Sequence, residues 1–190
     1  MAEPETPARG LTPPAWRPGD KRPDVAAMLR VDQAGEYGAT RIYAGQLALL
    51  SGRHASSSLV AHMAEQEKEH LRAFDALLAE RGVRPTVLQP FWAVAGHALG
   101  AATALMGPKA AMACTAAIED EIDAHYSEQL AELGDSDPEL SGKIAAFQAD
   151  EREHRDAALA AGAEQTVGYP LLYGAIRAGC RIAIELSKRI

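Results

Sequence analysis

The sequence predicts an all-α protein, an antiparallel four-helix bundle with two additional helices, and three observations carry the prediction. Alanine, the strongest helix former, supplies 39 of the 190 residues, while aromatics make up only 5%, so the residues that sheets prefer are scarce. From Val25 onward the residue pattern is helical. Glycine and proline cut that pattern into six long segments joined by short loops, and short loops make consecutive helices antiparallel neighbours.

The elements follow in order. Helix 1 is expected from Val25 to Leu50, with Asp24 as its N-cap and a stop at Ser51-Gly52. Helix 2 runs from His54 to Arg81 and ends at Gly82, with Pro85 just beyond. Helix 3 spans Pro90 to Met106 and is broken by Gly107-Pro108, where helix 4 begins and continues to Leu133. The run Gly134-Asp135-Ser136-Asp137-Pro138 is a turn, with Pro138 suited to the first turn of helix 5, which reaches Ala161-Gly162. Helix 6 starts after Tyr169-Pro170 and runs to the C-terminus. Residues 1–24 hold six of the eleven prolines together with Glu3 and Glu5. They are expected to form a disordered tail ahead of one helical domain, 25–190, and fit neither a secretory signal nor a mitochondrial presequence.

Composition excludes several function classes. A formal charge of −7 and a pI near 5.4 argue against nucleic acid as a partner, which needs a basic face. Two cysteines, Cys114 and Cys180, rule out a disulfide scaffold and a cysteine zinc site, and fit small core residues of a reduced, cytosolic protein. Two segments suit a membrane surface. Between Thr86 and Ile118 the only formal charge is Lys109. Its apolar centre, Phe91 to Met106, is too short for the ~20 residues that span a bilayer. It fits either a helix lying in the membrane interface with Trp92 at the headgroups or a helix buried centrally in the bundle. Residues 169–190 carry Arg177, Arg181, Lys188 and Arg189 against Glu185. They read as a basic amphipathic helix for an anionic membrane, or as a helix whose arginines pair with bundle carboxylates.

The chemistry lies in two acidic-histidine clusters. Glu67-Lys-Glu-His70 and Glu151-Arg-Glu-His154 each place a glutamate and a histidine at i and i+3, neighbours on one helix face able to reach one metal. A third element gives them meaning. Glu36 precedes Glu67 by 31 residues and Glu119 precedes Glu151 by 32. The midpoints fall at Ser51-Gly52 and at Asp135, both turns. In an antiparallel hairpin each lone glutamate therefore comes level with its Glu-x-x-His, about 23 Å from the turn at 1.5 Å per residue. Tyr43 and Tyr126 each follow the lone glutamate by seven residues, and fit either groups that orient ligands or substrate or core tyrosines with satisfied hydroxyls.

Docking the two hairpins face to face gathers Glu36, Glu67, His70, Glu119, Glu151 and His154, the ligand set of ferritin-like di-iron and di-manganese bundles. Two divalent cations would cancel the four carboxylate charges, which otherwise repel one another in a low-dielectric core. Carboxylate-rich ligation without thiolate suits iron, and less so manganese, better than zinc or copper.

The phrases around these residues carry a resemblance. Asp32-Gln-Ala-Gly-Glu36-Tyr-Gly-Ala39, Arg41-Ile-Tyr-Ala-Gly-Gln46, Glu65-Gln-Glu67-Lys-Glu-His70, Ala113-Cys-Thr-Ala-Ala-Ile-Glu119 and Ala178-Gly-Cys-Arg-Ile-Ala183 resemble the demethoxyubiquinone hydroxylase family of ubiquinone biosynthesis, from Val25 to Ile190. The resemblance implies two iron ions held by the same six residues, with His125 and Tyr126 behind them. It implies hydroxylation of a demethoxyubiquinol ring with O2 and two external electrons, and, in some organisms, a lipid-binding accessory protein. A polyprenyl quinol lives in the bilayer, so a peripheral enzyme on the cytoplasmic face of the bacterial cell membrane is expected. No Gly-x-Gly-x-x-Gly fingerprint is present, which leaves a flavoprotein, NADH or the quinone itself as electron source. Homo-oligomerisation is open. The rivals are a ferritin-like ferroxidase or iron-handling protein, a rubrerythrin-like peroxide reductase, which usually adds a Cys-rich iron site, and a helical membrane-binding module without activity.

Overall fold

The computed structural model describes residues 23–50, 52 and 54–190. The expected Pro-rich tail lies outside the described residues, apart from Pro23 and Asp24. The chain forms α1 (Val25–Leu49), α2 (Ala55–Glu80), α3 (Gln89–Leu105), α4 (Pro108–Leu133), α5 (Pro138–Ala160) and α6 (Tyr169–Ser187), with a short 3-10 turn at Ala163–Gln165 before α6. Most boundaries fall within a residue of those the sequence predicts. Asp24 accepts from the Ala27 amide at 3.0 Å and Asp137 caps α5 through the Leu140 amide at 3.1 Å. Prolines 90, 108, 138 and 170 sit in the first turns of α3 to α6, where their missing N–H costs no helical bond. Helix 6 departs from the expectation, since it stops at Ser187 instead of reaching the C-terminus.

The architecture is one three-helix unit used twice. α1 pairs with α2 and α4 with α5, and the third helix of each unit packs on its first: α3 on α1, α6 on α4. The core divides into two apolar plugs. One, with Tyr43, Val60, Met63 and Ala111–Ala117, lies at the end where α1 meets α2. The other, with Leu29, Phe74, Tyr126, Leu133 and Leu140, lies where α4 meets α5. On all four helices the six candidate ligands fall between the plugs, which fixes them at mid-bundle in a shell of close-packed carbon.

α3 corrects one of the two expectations for its segment: it is not buried centrally. Only Gly96, Gly100, Thr103 and Ala104 are buried, while Phe91, Val94, Leu105 and Met106 are well exposed. The helix seats against α1 through glycine, because a Cβ at Gly100 would stand 1.9 Å from the Ile42 carbonyl oxygen and one at Gly45 would stand 2.2 Å from that of His97. Trp92 turns inward and donates its indole N–H to Ser187 Oγ at 3.1 Å; Phe91 is the exposed aromatic.

α6 likewise resolves its alternatives. Arg177 and Arg181 each donate from Nε to opposite oxygens of buried Glu121 at 2.8 Å, Arg177 also reaches Asp120 at 3.0 Å, and Lys188 pairs with Glu185 at 2.6 Å. Most of the positive charge read as a membrane face is spent on carboxylates. The helix is held to α4 by ion pairs and turns Leu171, Ile182 and Leu186 outward.

Candidate metal centre

All six predicted ligand residues are buried: Glu36 on α1, Glu67 and His70 on α2, Glu119 on α4, Glu151 and His154 on α5. They form two overlapping groups, Glu36, Glu67, His70 and Glu151, and Glu67, Glu119, Glu151 and His154, within each of which the ligand atoms lie within 4.8 Å of one another. Glu67 and Glu151 belong to both. Glu151 turns Oε1 toward His70 Nδ1 at 3.2 Å and Oε2 toward His154 Nδ1 at 3.2 Å. Glu67 does the same in mirror sense, with Oε1 3.1 Å from His154 Nδ1 and Oε2 3.8 Å from His70 Nδ1. Each central carboxylate thus offers one oxygen to each position. Glu36 Oε2 lies 3.7 Å from His70 Nδ1 and Glu119 Oε1 4.0 Å from His154 Nδ1, closing the two ends.

The chemistry of the donors fits a pair of cations. Glu36 Oε2, Glu119 Oε2, both oxygens of Glu67 and of Glu151, and both Nδ1 atoms are buried without a hydrogen bond. Native interiors rarely leave buried polar atoms so, and here they converge. The electrostatics ask for positive charge. Burial, reinforced by the Glu67 charge, pushes the Glu36 carboxyl up to about 8, and burial beside Glu151 and Glu67 drives Glu119 well above the usual range. Burial alone would lower the imidazoles, yet the surrounding carboxylates win: His154 rises to about 9 and His70 rises as well.

The two halves are cross-linked. Tyr43 of the first unit donates to Glu119 of the second, and Tyr126 of the second donates to Glu36 of the first. Burial pushes both phenols well above their ordinary value, so they remain donors. The imidazoles are crossed in the same way: His70 Nε2 faces Asp150 Oδ2 at 3.0 Å, and His154 Nε2 faces Gln66 Oε1 at 3.1 Å. Sequence reasoning missed Gln66 and Asp150, each of which stands immediately before the glutamate of its Glu-x-x-His. His125 is buried. Its Nε2 lies 3.5 Å from Asp32 Oδ1, to which Gln129 donates at 2.7 Å.

A cavity of about 490 Å³ opens between α1, α3, α4 and α6, lined by Val31, Ile42, Trp92, Leu99, Ile176 and Cys180 among others. A second, of about 30 Å³, is lined by Asp32, Glu36, His125 and Tyr126. It shares Val31, Gly35, Ile122 and Ile184 with the larger one, so the apolar space adjoins the Glu36 end of the cluster.

The family described as Ubiquinone biosynthesis protein COQ7 matches residues 23–187. The chain belongs to the COQ7 family. It is 53% identical over 175 residues to the 3-demethoxyubiquinol 3-hydroxylase of Rhodospirillum rubrum, covering 91% of this chain and 82% of that protein. It is 49% identical over 173 residues to the NADPH-dependent 3-demethoxyubiquinone 3-hydroxylase, mitochondrial, of Homo sapiens, covering 89% and 79%. Against the 5-demethoxyubiquinone hydroxylase, mitochondrial, of Saccharomyces cerevisiae the identity is 39% over 179 residues, covering 86% and 77%. COQ7 proteins are ferritin-like and di-iron, in keeping with an all-helical bundle whose carboxylate and imidazole groups can hold metal.

Proposed function

We propose that this protein hydroxylates the ring of a demethoxyubiquinol with O2, and that Glu36, Glu67, His70, Glu119, Glu151 and His154 hold the two iron ions it uses. The observation that carries the reading is the adjacency of two four-residue clusters sharing Glu67 and Glu151 to an apolar cavity of about 490 Å³. A ferroxidase would need the cluster but has no use for the cavity. The net reaction turns a ring C–H, O2, two electrons and two protons into a ring C–OH and water.

Two adjacent ferrous ions, when bound, supply the reduction of dioxygen that side chains cannot perform. The rest falls to this chain's own groups. The aliphatic wall of the large cavity takes the isoprenoid tail and excludes water. Glu36, Tyr126, Asp32 and His125 around the small cavity give the polar quinol head a direction, ring toward the cluster and tail toward α3 and α6. Tyr126 and Tyr43 fix the terminal carboxylates Glu36 and Glu119 by hydrogen bonds from the opposite unit.

A quinol dissolved in a bilayer also accounts for the outer surface. No helix among the described residues is long and apolar enough to cross a membrane. Phe91, Val94 and Leu105 on α3 and Leu171, Ile182 and Leu186 on α6 flank the cavity with exposed apolar groups. These groups support a peripheral seat on the membrane, on our reading its cytoplasmic face, held by apolar contact more than by charge. The donor of the two electrons is a reduced nicotinamide, NADH or the NADPH in the names of the mammalian relatives.

The test is genetic and chemical together. Cells lacking this protein should accumulate demethoxyubiquinone, and the wild-type chain should restore ubiquinone. Glu151→Gln should fail to do so, with bound iron lost and helicity kept, an effect exceeding the ~100-fold that losing an outer partner of a metal ligand costs. Ubiquinone restored by Glu151→Gln would refute the ligand assignment, and normal quinones in the deletion strain would refute the substrate.

A further inference from the structure

The two cation positions share two carboxylates and have matching ends, a glutamate with a cross-unit tyrosine and a histidine by Nδ1. Their outer support differs. With Nδ1 turned to the carboxylates, each histidine would give Nδ1 to a cation held there, keep its ring proton on Nε2 and donate it outward. His70 Nε2 faces the carboxylate of Asp150 and His154 Nε2 the amide oxygen of Gln66. A carboxylate acceptor draws the proton away from the ring and makes the opposite nitrogen a stronger donor to a cation, while an amide does so only weakly. The charge of Asp150 also adds directly to the attraction. The His70 ring is further fixed by Phe147, stacked on it at 4.1 Å between centroids.

We infer that the chain is built to load its two cations unequally, with the Glu36–His70 position binding more tightly than the Glu119–His154 position because Asp150 stands behind its histidine. This inference rests on the proposed ligand set. The tighter position is also the one whose terminal glutamate lines the small cavity beside the quinol space. Asp150 and Gln66 are positioning residues, each acting through the histidine it faces.

The probe is Co(II), added without oxygen to the metal-free full-length protein and followed by its visible absorption. Two steps are expected, separated by about tenfold or more. His70→Ala removes the tighter step and His154→Ala the weaker. Asp150→Asn, which keeps size and an acceptor oxygen but removes the charge, weakens the tighter step about 10- to 100-fold and leaves the other in place as an internal control. Asp150→Glu restores it, and Gln66→Glu tightens the weaker step. Two equal steps in the wild type, or a tighter step indifferent to Asp150→Asn, overturn the inference while leaving the ligand set standing. Cobalt binding indifferent to Glu67→Gln and His70→Ala overturns the ligand set as well.

Discussion

The units α1–α3 and α4–α6 agree where they meet the cluster and differ where they do not. The first two helices of each bring the same three ligand types to the same height, exchange a tyrosine with the opposite glutamate, and flank the cluster with an apolar plug. The third helices have nothing in common beyond their position. α3 carries no charged residue and meets α1 by glycine against backbone carbonyl, whereas α6 meets α4 by arginines folded onto Glu121 and Asp120. Bringing the same candidate ligands to one height constrains two helices per unit closely, because four carboxylates and two imidazoles converge only if those helices keep their register. The third helix has only to wall the cavity and face outward, which van der Waals contact or ion pairing can each achieve.

The difference can be broken at its tightest point. Gly100→Ala places a methyl 1.9 Å from the Ile42 carbonyl oxygen, and backbone cannot yield as a flexible side chain does. The variant should lose stability near the upper end of the 1–3 kcal/mol typical of overpacking, seen as a lower Tm. α3 should also lift from α1 and open the cavity wall. Gly174→Ala in α6 meets nothing within 4 Å and should be neutral or stabilising by up to about 1 kcal/mol. Equal effects would mean that α3 is not seated by close backbone contact.

A second comparison sharpens the centre itself. Tyr43→Phe and Tyr126→Phe each remove the hydroxyl bonded to a buried glutamate, and each should cost about 1–3 kcal/mol in thermal unfolding. Their turnover should differ. Glu36, the partner of Tyr126, lines the small cavity adjoining the large apolar one, and Glu119 does not, so Tyr126→Phe should slow hydroxylation more. Equal losses of turnover would mean that both ends of the cluster are alike to the substrate.

The convergence of the six candidate ligands was legible because helical spacing and hairpin midpoints are arithmetic on the chain, and both depend only on residues within one unit. What escaped was contact between helices far apart in the chain. Nothing local to Gln66 or Asp150 says that each reaches across to the other unit's histidine, and nothing around Glu121 says that two arginines about 60 residues later will neutralise it. Residues 91–106 were ambiguous for a related reason, since a run apolar on every side is compatible with burial or with lipid. Glycines 96 and 100, one turn apart on α3, and Gly45 opposite them on α1 held the decision, because close backbone contact between the two helices is what gives them a use. His125 and Tyr126 were implied by family resemblance, and the reason for Tyr126, a bond to Glu36, needed the fold.

The smallest expected effect separates the third helices by pH. Burial alone would raise the Glu121 carboxyl, but the hydrogen bonds from Arg181 and Arg177 outweigh it and hold the group below its ordinary 4.5. A lowered folded value means that the contribution of Glu121 is complete above pH 4.5 and drains away as the pH falls through the lowered value. Arg181 is largely exposed and solvent screens it, so the contribution is about 1 kcal/mol or less. Amide exchange in α6 should therefore speed up as the pH is brought below 4.5, after correction for the intrinsic rate, and should respond to salt. Exchange in α3, which has no ion pair to lose, should do neither. Glu121→Gln should leave α6 frayed at every pH and weaken the acid response, because Arg181 and Arg177 Nε then face an amide that cannot titrate and only the Arg177–Asp120 pair is left to lose. An α6 that loosens with acid as much in that variant as in the wild type would mean that some other carboxylate holds the helix down.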